Sequence, residues 1–259
     1  MGLSDTPNRT VNTADTVFGI IEHLERADGT TVEEVAEELD IAESTAHTYL
    51  ATLLDHEYAV KEGTTYYLSL RPLDSGIGVR ENMDLTHAAR PVIDDIASET
   101  DESVWIVTEE HGRGVYLMRS AGENAVRTRG RVGKRTTMHD MAAGKAILAH
   151  LPESKVEAIV DQFGLPERTG NTITDRAALR EELAQIRDRG YATNRGETIG
   201  KVWAVASPIL RGEEVCGAVG IAGPKHRLSG EHFREGLPDL VLEAADTIEL
   251  ELTYRSGDR

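Results

Sequence analysis

Residues 31–70 read TVEEVAEELD IAESTAHTYL ATLLDHEYAV KEGTTYYLSL. Thr31 followed three residues later by Glu34 is the pattern of a capping box at a helix start. Val32, Val35, Ala36 and Leu39 then recur at helical spacing. Asp40-Ile41-Ala42-Glu43 turns the chain, and a second helix is predicted from about Ser44. It would bury Ala46, Leu50, Leu53 and Leu54 and present Ser44, Thr45, His47, Thr48 and Thr52 on its other face. Residues 59–68 follow as two short strand-like runs around a turn containing Gly63. Helix, tight turn, helix and hairpin in this order outline a winged helix-turn-helix, a unit that lays its second helix in the DNA major groove. Candidate DNA contacts are therefore Ser44, Thr45, His47, Thr48 and Thr52, with Lys61 and Thr64 on the wing touching backbone. Tyr49 falls between the groove edge and the core.

The charge balance opposes this reading. The chain of 259 residues has formal net charge −17, whereas nucleic-acid binders are expected to carry basic patches. Residues 1–80 hold 15 Asp+Glu against 5 Lys+Arg, so the candidate DNA-binding part is the more acidic one. The acids nevertheless avoid the reading face: residues 44–54 contain no carboxylate, and Lys61 sits on the wing. Glu33, Glu34, Glu37, Glu38 and Asp40 cluster on the preceding helix and read as a solvated face. Such acidity is expected of a protein working in concentrated salt. At about 1 M the Debye length is about 3 Å, so distant repulsion from phosphate is screened, and counterion release contributes less to binding.

The length suffices for two domains. A single cysteine, Cys216, excludes a disulfide framework and reads as packed in an apolar run. No hydrophobic stretch is long enough to span a membrane, no signal peptide is visible, and the expected compartment is the cytoplasm. Met1-Gly2-Leu3-Ser4-Asp5-Thr6 fits a loose N-myristoylation pattern and reads as a chance match.

A helix is predicted before the DNA unit, with Val17, Ile20, Ile21 and Leu24 on one face. Residues 71–78, RPLDSGIG, read as a Pro/Gly-punctuated boundary, and a connector helix is expected over about 85–98. The expected division is a DNA-binding domain over 1–75, a linker and connector over 76–90, and a second domain over 91–259. From residue 101 the pattern becomes mixed. Strands are expected over 103–108 and 115–119, joined by the turn His111-Gly112-Arg113-Gly114. Helices follow at 142–150, 154–161 and 175–189, the last closed by Gly190. Strands at 202–209 and 215–222 flank Gly212-Glu213, and a final helix buries Leu237, Leu240, Val241, Ala244, Ala245, Ile248 and Leu252. Strands with a few long helices point to an α+β sensor domain with an antiparallel sheet.

Signatures of catalysis are missing. Gly144-Lys145-Ala146 and Gly133-Lys134-Arg135 lack the first glycine and the Ser/Thr of a phosphate loop. The histidines show no metal-ligand spacing, and no Gly-x-Ser-x-Gly elbow occurs. No cofactor is expected. A pocket-like set remains. Met138-His139-Asp140-Met141 leads into Ala142-Ala143-Gly144 at a helix start, where small residues let an anion approach the free amides. Equally, the small residues could serve close packing of helix on sheet. Trp203 reads as a cavity wall or as core. Arg195 and Glu197 lie in the loop before it and read as surface charges; His139 reads as a hydrogen-bonded structural histidine or a ligand contact.

These segments together resemble the IclR family of transcriptional regulators nearly end to end. The resemblance rests on Ile41-Ala42-Glu43-Ser44-Thr45-Ala46-His47 and on Met138-His139 with Ala142 to Ala149. It rests also on Leu183 through Ile186-Arg187 to Gly190-Tyr191-Ala192, on Gly200 leading into Ala204-Val205-Ala206-Ser207-Pro208-Ile209, and on Val219-Gly220-Ile221-Ala222-Gly223-Pro224. It implies a winged helix-turn-helix followed by a GAF-like α/β effector-binding domain. It implies a non-enzymatic, effector-responsive regulator of a metabolic operon that binds palindromic operators in double-stranded DNA as a homodimer or tetramer. The effector class would be an organic acid, aromatic acid or sugar derivative. By position the pocket would be lined by Met138, His139, Ala143, Gly144, Thr193, Trp203, Gly220 and Ala222, with Arg195 able to pair with an anionic effector. Three departures stand out. Thr48 replaces a frequent arginine, which removes a strong phosphate or guanine contact. Gly220 and Ala222 replace hydroxyl residues found in members that bind small keto acids, and Trp203 replaces a smaller residue, both pointing to a different, less polar ligand. The loop 193–197 is less acidic than usual. Two other functions stay open from sequence: a C-terminal module that only dimerises, and a DNA-tethered small-molecule enzyme.

Overall fold

The computed structural model describes residues 10–125, 130–230 and 232–257. The myristoylation-like start lies outside them. Two compact units divide between Val79 and Arg80.

In the N-terminal unit, α1 (Asn12–Arg26), α2 (Val32–Leu39) and α3 (Glu43–Asp55) precede a hairpin of β1 (Ala59–Glu62) and β2 (Thr65–Leu68). The capping box is present. The Thr31 hydroxyl accepts from the Glu34 amide at 3.3 Å, and the Glu34 carboxylate accepts from the Thr31 amide at 2.8 Å. That backbone bond is the main reason the Glu34 carboxyl is held below its ordinary range. Asp40 ends α2 in the left-handed conformation at φ 51°, which an Asp tolerates better than most residues. The second helix starts one residue earlier than expected, at Glu43, with Ala42 as an N-cap lacking a side-chain bond. Ile20, Leu24, Val35, Ala36, Ala46, Leu50, Leu53, Ala59 and Tyr66 make one core; Leu54 is only partly buried. Residues 71–78 do not form a loop boundary but lie in a helix, α4 (Arg71–Glu81), with no buried residue. Pro72 falls in its first turn, where a missing amide costs nothing.

In the C-terminal unit, α5 (Asp84–Thr100) is no free-standing connector: Leu85, Ala88, Ala89 and Ile93 lie in the core. The other elements are β3 (Ser103–Glu110), β4 (Arg113–Ala121), β5 (Arg135–Thr136), α6 (Ala142–His150), α7 (Glu153–Phe163), α8 (Arg176–Arg189), β6 (Ala192–Arg195), β7 (Val202–Arg211), β8 (Glu214–Pro224) and α9 (Leu237–Gly257). The six strands form one antiparallel sheet in the order β5-β4-β3-β8-β7-β6. The β3–β4 turn is tighter than expected, with His111 and Gly112 both at positive φ, the geometry of a two-residue hairpin. Two strands were not anticipated. β5 is two residues long, and β6 occupies a stretch read as loop.

The sheet is covered on both faces. Val104, Ile106, Leu117, Met118, Val205, Ile209, Val219 and Ile221 pack with α5 and α9. Val107, Ala206 and Ala218 pack with α6, α7 and α8. A β-bulge between Ile106 and Val107 sets Leu117 and Met118 on one side and returns Tyr116 to the other. In α6 every residue from Ala142 to Ala149 is buried, so this helix is the centre of its layer.

Candidate functional site

The reading face of α3 is free in the N-terminal unit. Ser44, Thr45, His47, Thr48 and Thr52 are exposed, as are Lys61 and Thr64 on the wing. The Thr48 hydroxyl donates to the Ser44 carbonyl at 2.8 Å, and that of Thr52 to the Thr48 carbonyl at 2.9 Å. Each keeps its oxygen lone pairs and methyl group for an incoming partner. The Lys61 ammonium lies 4.7 Å from the centroid of the Tyr66 ring, which fixes its position beside the wing. Tyr49 is half-buried against the core.

In the C-terminal unit a cavity of about 120 Å³ lies between the sheet and α6. Its ring wall is Trp105 with Tyr116, an edge-on pair at 4.8 Å between centroids. Val107, Met141, Ala204, Ala206, Gly220 and Ala222 extend the apolar lining. Polar groups come from Asn194 and Thr198, and Lys134 also borders the space. Ala142 and Ala143 line it too. They form the first turn of α6, whose N-cap Met141 supplies no side-chain bond. The helix therefore opens toward the cavity with amides free for an anion. Burial raises the Tyr116 phenol above its ordinary range, with the Asp140 carboxylate adding to the effect, so the phenol stays neutral.

Of the expected pocket residues, Ala143, Gly220 and Ala222 line this cavity. Thr193, Arg195 and Trp203 do not. Side chains alternate along a strand, and Thr193 and Arg195 pair with Val205 and Trp203 in register. Val205 and Trp203 pack on the opposite face, toward α5 and α9. There the Trp203 ring meets Phe233 at 4.7 Å, and the Arg195 guanidinium lies 5.8 Å from the Trp203 centroid. The residue between them, Asn194, is the one that reaches the cavity. Met138 and His139 lie outside it, beside α7. His139 is buried and donates from Nε2 to the Pro166 carbonyl at 3.2 Å; burial lowers its pKa. Gly144 has a packing role, since a Cβ there would stand 2.2 Å from the Met138 carbonyl oxygen.

Glu197 is a second correction. It is not a surface charge but buried, and it pairs with the buried Lys145 at 2.8 Å. Burial raises its carboxyl pKa, opposed by the Lys145 ammonium. Asn194 connects this pair to the cavity. Its Oδ1 accepts from the amides of Gly196 and Glu197, each at 2.9 Å, and its Nδ2 donates to the Asp140 carbonyl at 2.7 Å. The Thr198 hydroxyl donates to the same carbonyl. One wall of the cavity is thus built by a hydrogen-bonded loop rather than by packing alone. Among the described residues, no group of three or more His, Cys, Asp or Glu could hold a metal, and no helix is long and apolar enough to cross a membrane.

Comparison with known proteins gives the same outline. The model described as "Bacterial transcriptional regulator IclR C-terminal" matches residues 78–250, and the "IclR helix-turn-helix domain" matches residues 13–63. The chain is 37% identical over 238 residues, 90% of each chain, to "Probable HTH-type transcriptional regulator ArcR" of Halobacterium salinarum. It is 28% identical to the HTH-type transcriptional regulator BhcR of Paracoccus denitrificans, covering all of this chain and 94% of that one. The crystal structure of the Thermotoga maritima IclR superposes with a TM-score of 0.76 at 27% identity, covering 93% of this chain and 98% of the other. An IclR homolog from Microbacterium hydrocarbonoxydans, crystallised in complex with 4-hydroxybenzoate, superposes with a TM-score of 0.78 at 22% identity, covering 92% and 98%.

Proposed function

Because the chain belongs to the IclR family of transcriptional regulators, we propose that a small molecule held beneath α6 alters how α3 and the wing bind a palindromic operator in double-stranded DNA. In this reading Ser44, Thr45, His47, Thr48 and Thr52 meet bases and phosphates, and Lys61 and Thr64 meet backbone. The DNA-binding part spans about residues 1–75, and the effector and oligomerisation part about 91–259. The observation that carries the reading is the partly open, mainly apolar cavity against the uncapped first turn of α6.

Size and lining narrow the effector. A cavity of about 120 Å³ is somewhat smaller than the ~150 Å³ engineered space that holds benzene. A compact acid with one ring matches this size better than a disaccharide or nucleotide. The ring would lie against Trp105 and Tyr116, and the carboxylate would face the Ala142 and Ala143 amides, where the helix dipole favours negative charge. Asn194 and Thr198 would complete the polar contacts. The relative crystallised with 4-hydroxybenzoate supports this class of ligand.

Self-association belongs to the same reading, since a two-fold operator calls for a two-fold reader. Val11 and Phe18 near and on α1, and Leu70, Leu73 and Ile77 near and on α4, leave large apolar side chains exposed. A second copy would cover such surface, giving a dimer or a tetramer. The acidic balance supports work in the cytoplasm of a cell with concentrated internal salt.

Thermal unfolding with benzoate, 4-hydroxybenzoate, pyruvate and gluconate tests the ligand reading. An aromatic acid at 100 times its Kd is expected to stabilise by about 2.7 kcal/mol, and Ala222→Leu, which narrows the cavity, should remove the shift. No shift with any acid would instead favour a C-terminal domain that only dimerises.

A further inference from the structure

Cations are the minority in this chain, 28 Lys+Arg against 45 Asp+Glu, and many pair with carboxylates. Lys145 pairs with Glu197 and Glu182, Lys155 with Glu109, and Arg227 grips both Glu102 oxygens at 2.7 Å. Among the described residues, no carboxylate pairs with Arg195, Lys201, Lys225 or His226. These four gather at one place. The start of β7 lies between the end of β6 and the end of β8, and each of these strand ends carries one or more of them. The Lys225 amide donates to the Lys201 carbonyl at 2.8 Å, so the two lysines are neighbours across the strands.

Two of the charges are held in place without being cancelled. The Lys225 ammonium lies 5.4 Å, and the Arg195 guanidinium 5.8 Å, from the Trp203 centroid. Arg195 also lies 5.6 Å from the Phe233 centroid. Aromatic faces attract cations but carry no net charge. Beside them Lys201, Lys225, His226 and Ser229 line an open cleft of about 560 Å³. Among the described residues none of these side chains forms an ion pair with a carboxylate, so like charges gathered here repel one another. A bound anion relieves that repulsion.

We propose that the cleft at the start of β7 and the end of β8, lined by Lys201, Lys225 and His226, with Arg195 on the neighbouring end of β6, is a second ligand site that binds a compact, multiply charged anion: a phosphate ester or a polycarboxylate. Lysine acts as a point charge suited to either. An anion bearing several charges meets more than one strand end at once. The cleft is more than four times the volume of the cavity beneath α6 and open to solvent, so it takes a larger and more hydrated molecule.

Calorimetric titration of the full chain with pyrophosphate and with citrate, at fixed low ionic strength, tests the site. At least one anion should bind, and Lys201→Glu/Lys225→Glu should weaken it at least tenfold. Arg255→Glu, an exposed reversal elsewhere, should leave it unchanged. Binding of pyrophosphate alone identifies a phosphate site, and binding of citrate alone a polycarboxylate site; either supports the proposal. Should the double reversal impair folding, Lys201→Gln/Lys225→Gln is read in the same way. The proposal is overturned if neither anion binds, or if the double variants bind as tightly as the parent. It is overturned equally if wild type binds no anion and the reversal changes only the sedimentation of the oligomer, which would make the cleft a contact between copies.

Discussion

His139 shows how one side chain carries a measurable consequence of packing. Its ring is buried and donates from Nε2 to the Pro166 carbonyl, and burial lowers its pKa from the ordinary 6.5. In the window below 6.5 the unfolded chain binds a proton that the folded chain does not, so stability rises with pH across that window. It is fully present above 6.5 and lost as pH falls toward the lowered folded value. The urea midpoint should therefore drop between about pH 7 and pH 5 by more in the parent than in His139→Gln. Equal slopes would show that His139 does not titrate differently on folding. Sequence alone left His139 as either structural or ligand-binding; the fold places it outside the cavity, buried and hydrogen-bonded to Pro166. Lys145 and Glu197 were not legible at all. They are 52 positions apart, and no local pattern announces a buried ion pair closed by the fold. Asn194 was missed for a simpler reason. Adjacent residues in a strand face opposite ways, so treating 193–197 as a loop hid which of them points inward.

At the scale of elements, the N-terminal unit was almost wholly readable, because caps and periodicity are local. The capping box at Thr31 is the clearest case. Thr31→Ala removes the acceptor for the Glu34 amide and should destabilise the N-terminal unit by about 1 kcal/mol, read from its chemical denaturation. An unchanged midpoint would mean that α2 is held by packing alone. α4 was misread because Pro72, Gly76 and Gly78 are loop residues by composition. Its first-turn proline is compatible with a helix, and Gly76 and Gly78 meet nothing within 4 Å, so packing neither demands nor forbids them. The large strands of the C-terminal sheet were visible from alternation and turns, whereas β5 and β6 were not. Two and four residues are too few to show a period, and Ala192 and Asn194 are residue types depleted in strands. The apolar cavity follows from the same alternation: Ala204 and Ala206 on β7 and Gly220 and Ala222 on β8 leave room beneath α6.

For the whole molecule, the question is how so acidic a chain binds DNA. The net charge of −17 repels both its own compact state and a phosphate backbone, while the reading face of α3 carries only neutral side chains apart from its imidazole. Salt should relieve the self-repulsion. Thermal unfolding from 0.1 to 3 M KCl is expected to rise steadily, and full stability in dilute buffer would count against adaptation to concentrated salt. Operator binding should also fall less steeply with salt than for readers that make many lysine and arginine contacts, since Lys61 alone on the wing offers a phosphate a full positive charge.

The identity of the reading face can be tested directly. An operator selected from random duplexes by the full-length protein is titrated at matched salt with the parent and with His47→Ala. If His47 reads a base, the variant should lose about 1–3 kcal/mol of specific binding, while non-specific binding stays the same. Unchanged operator affinity for this variant would contradict the assignment of His47 as a base-reading residue of α3.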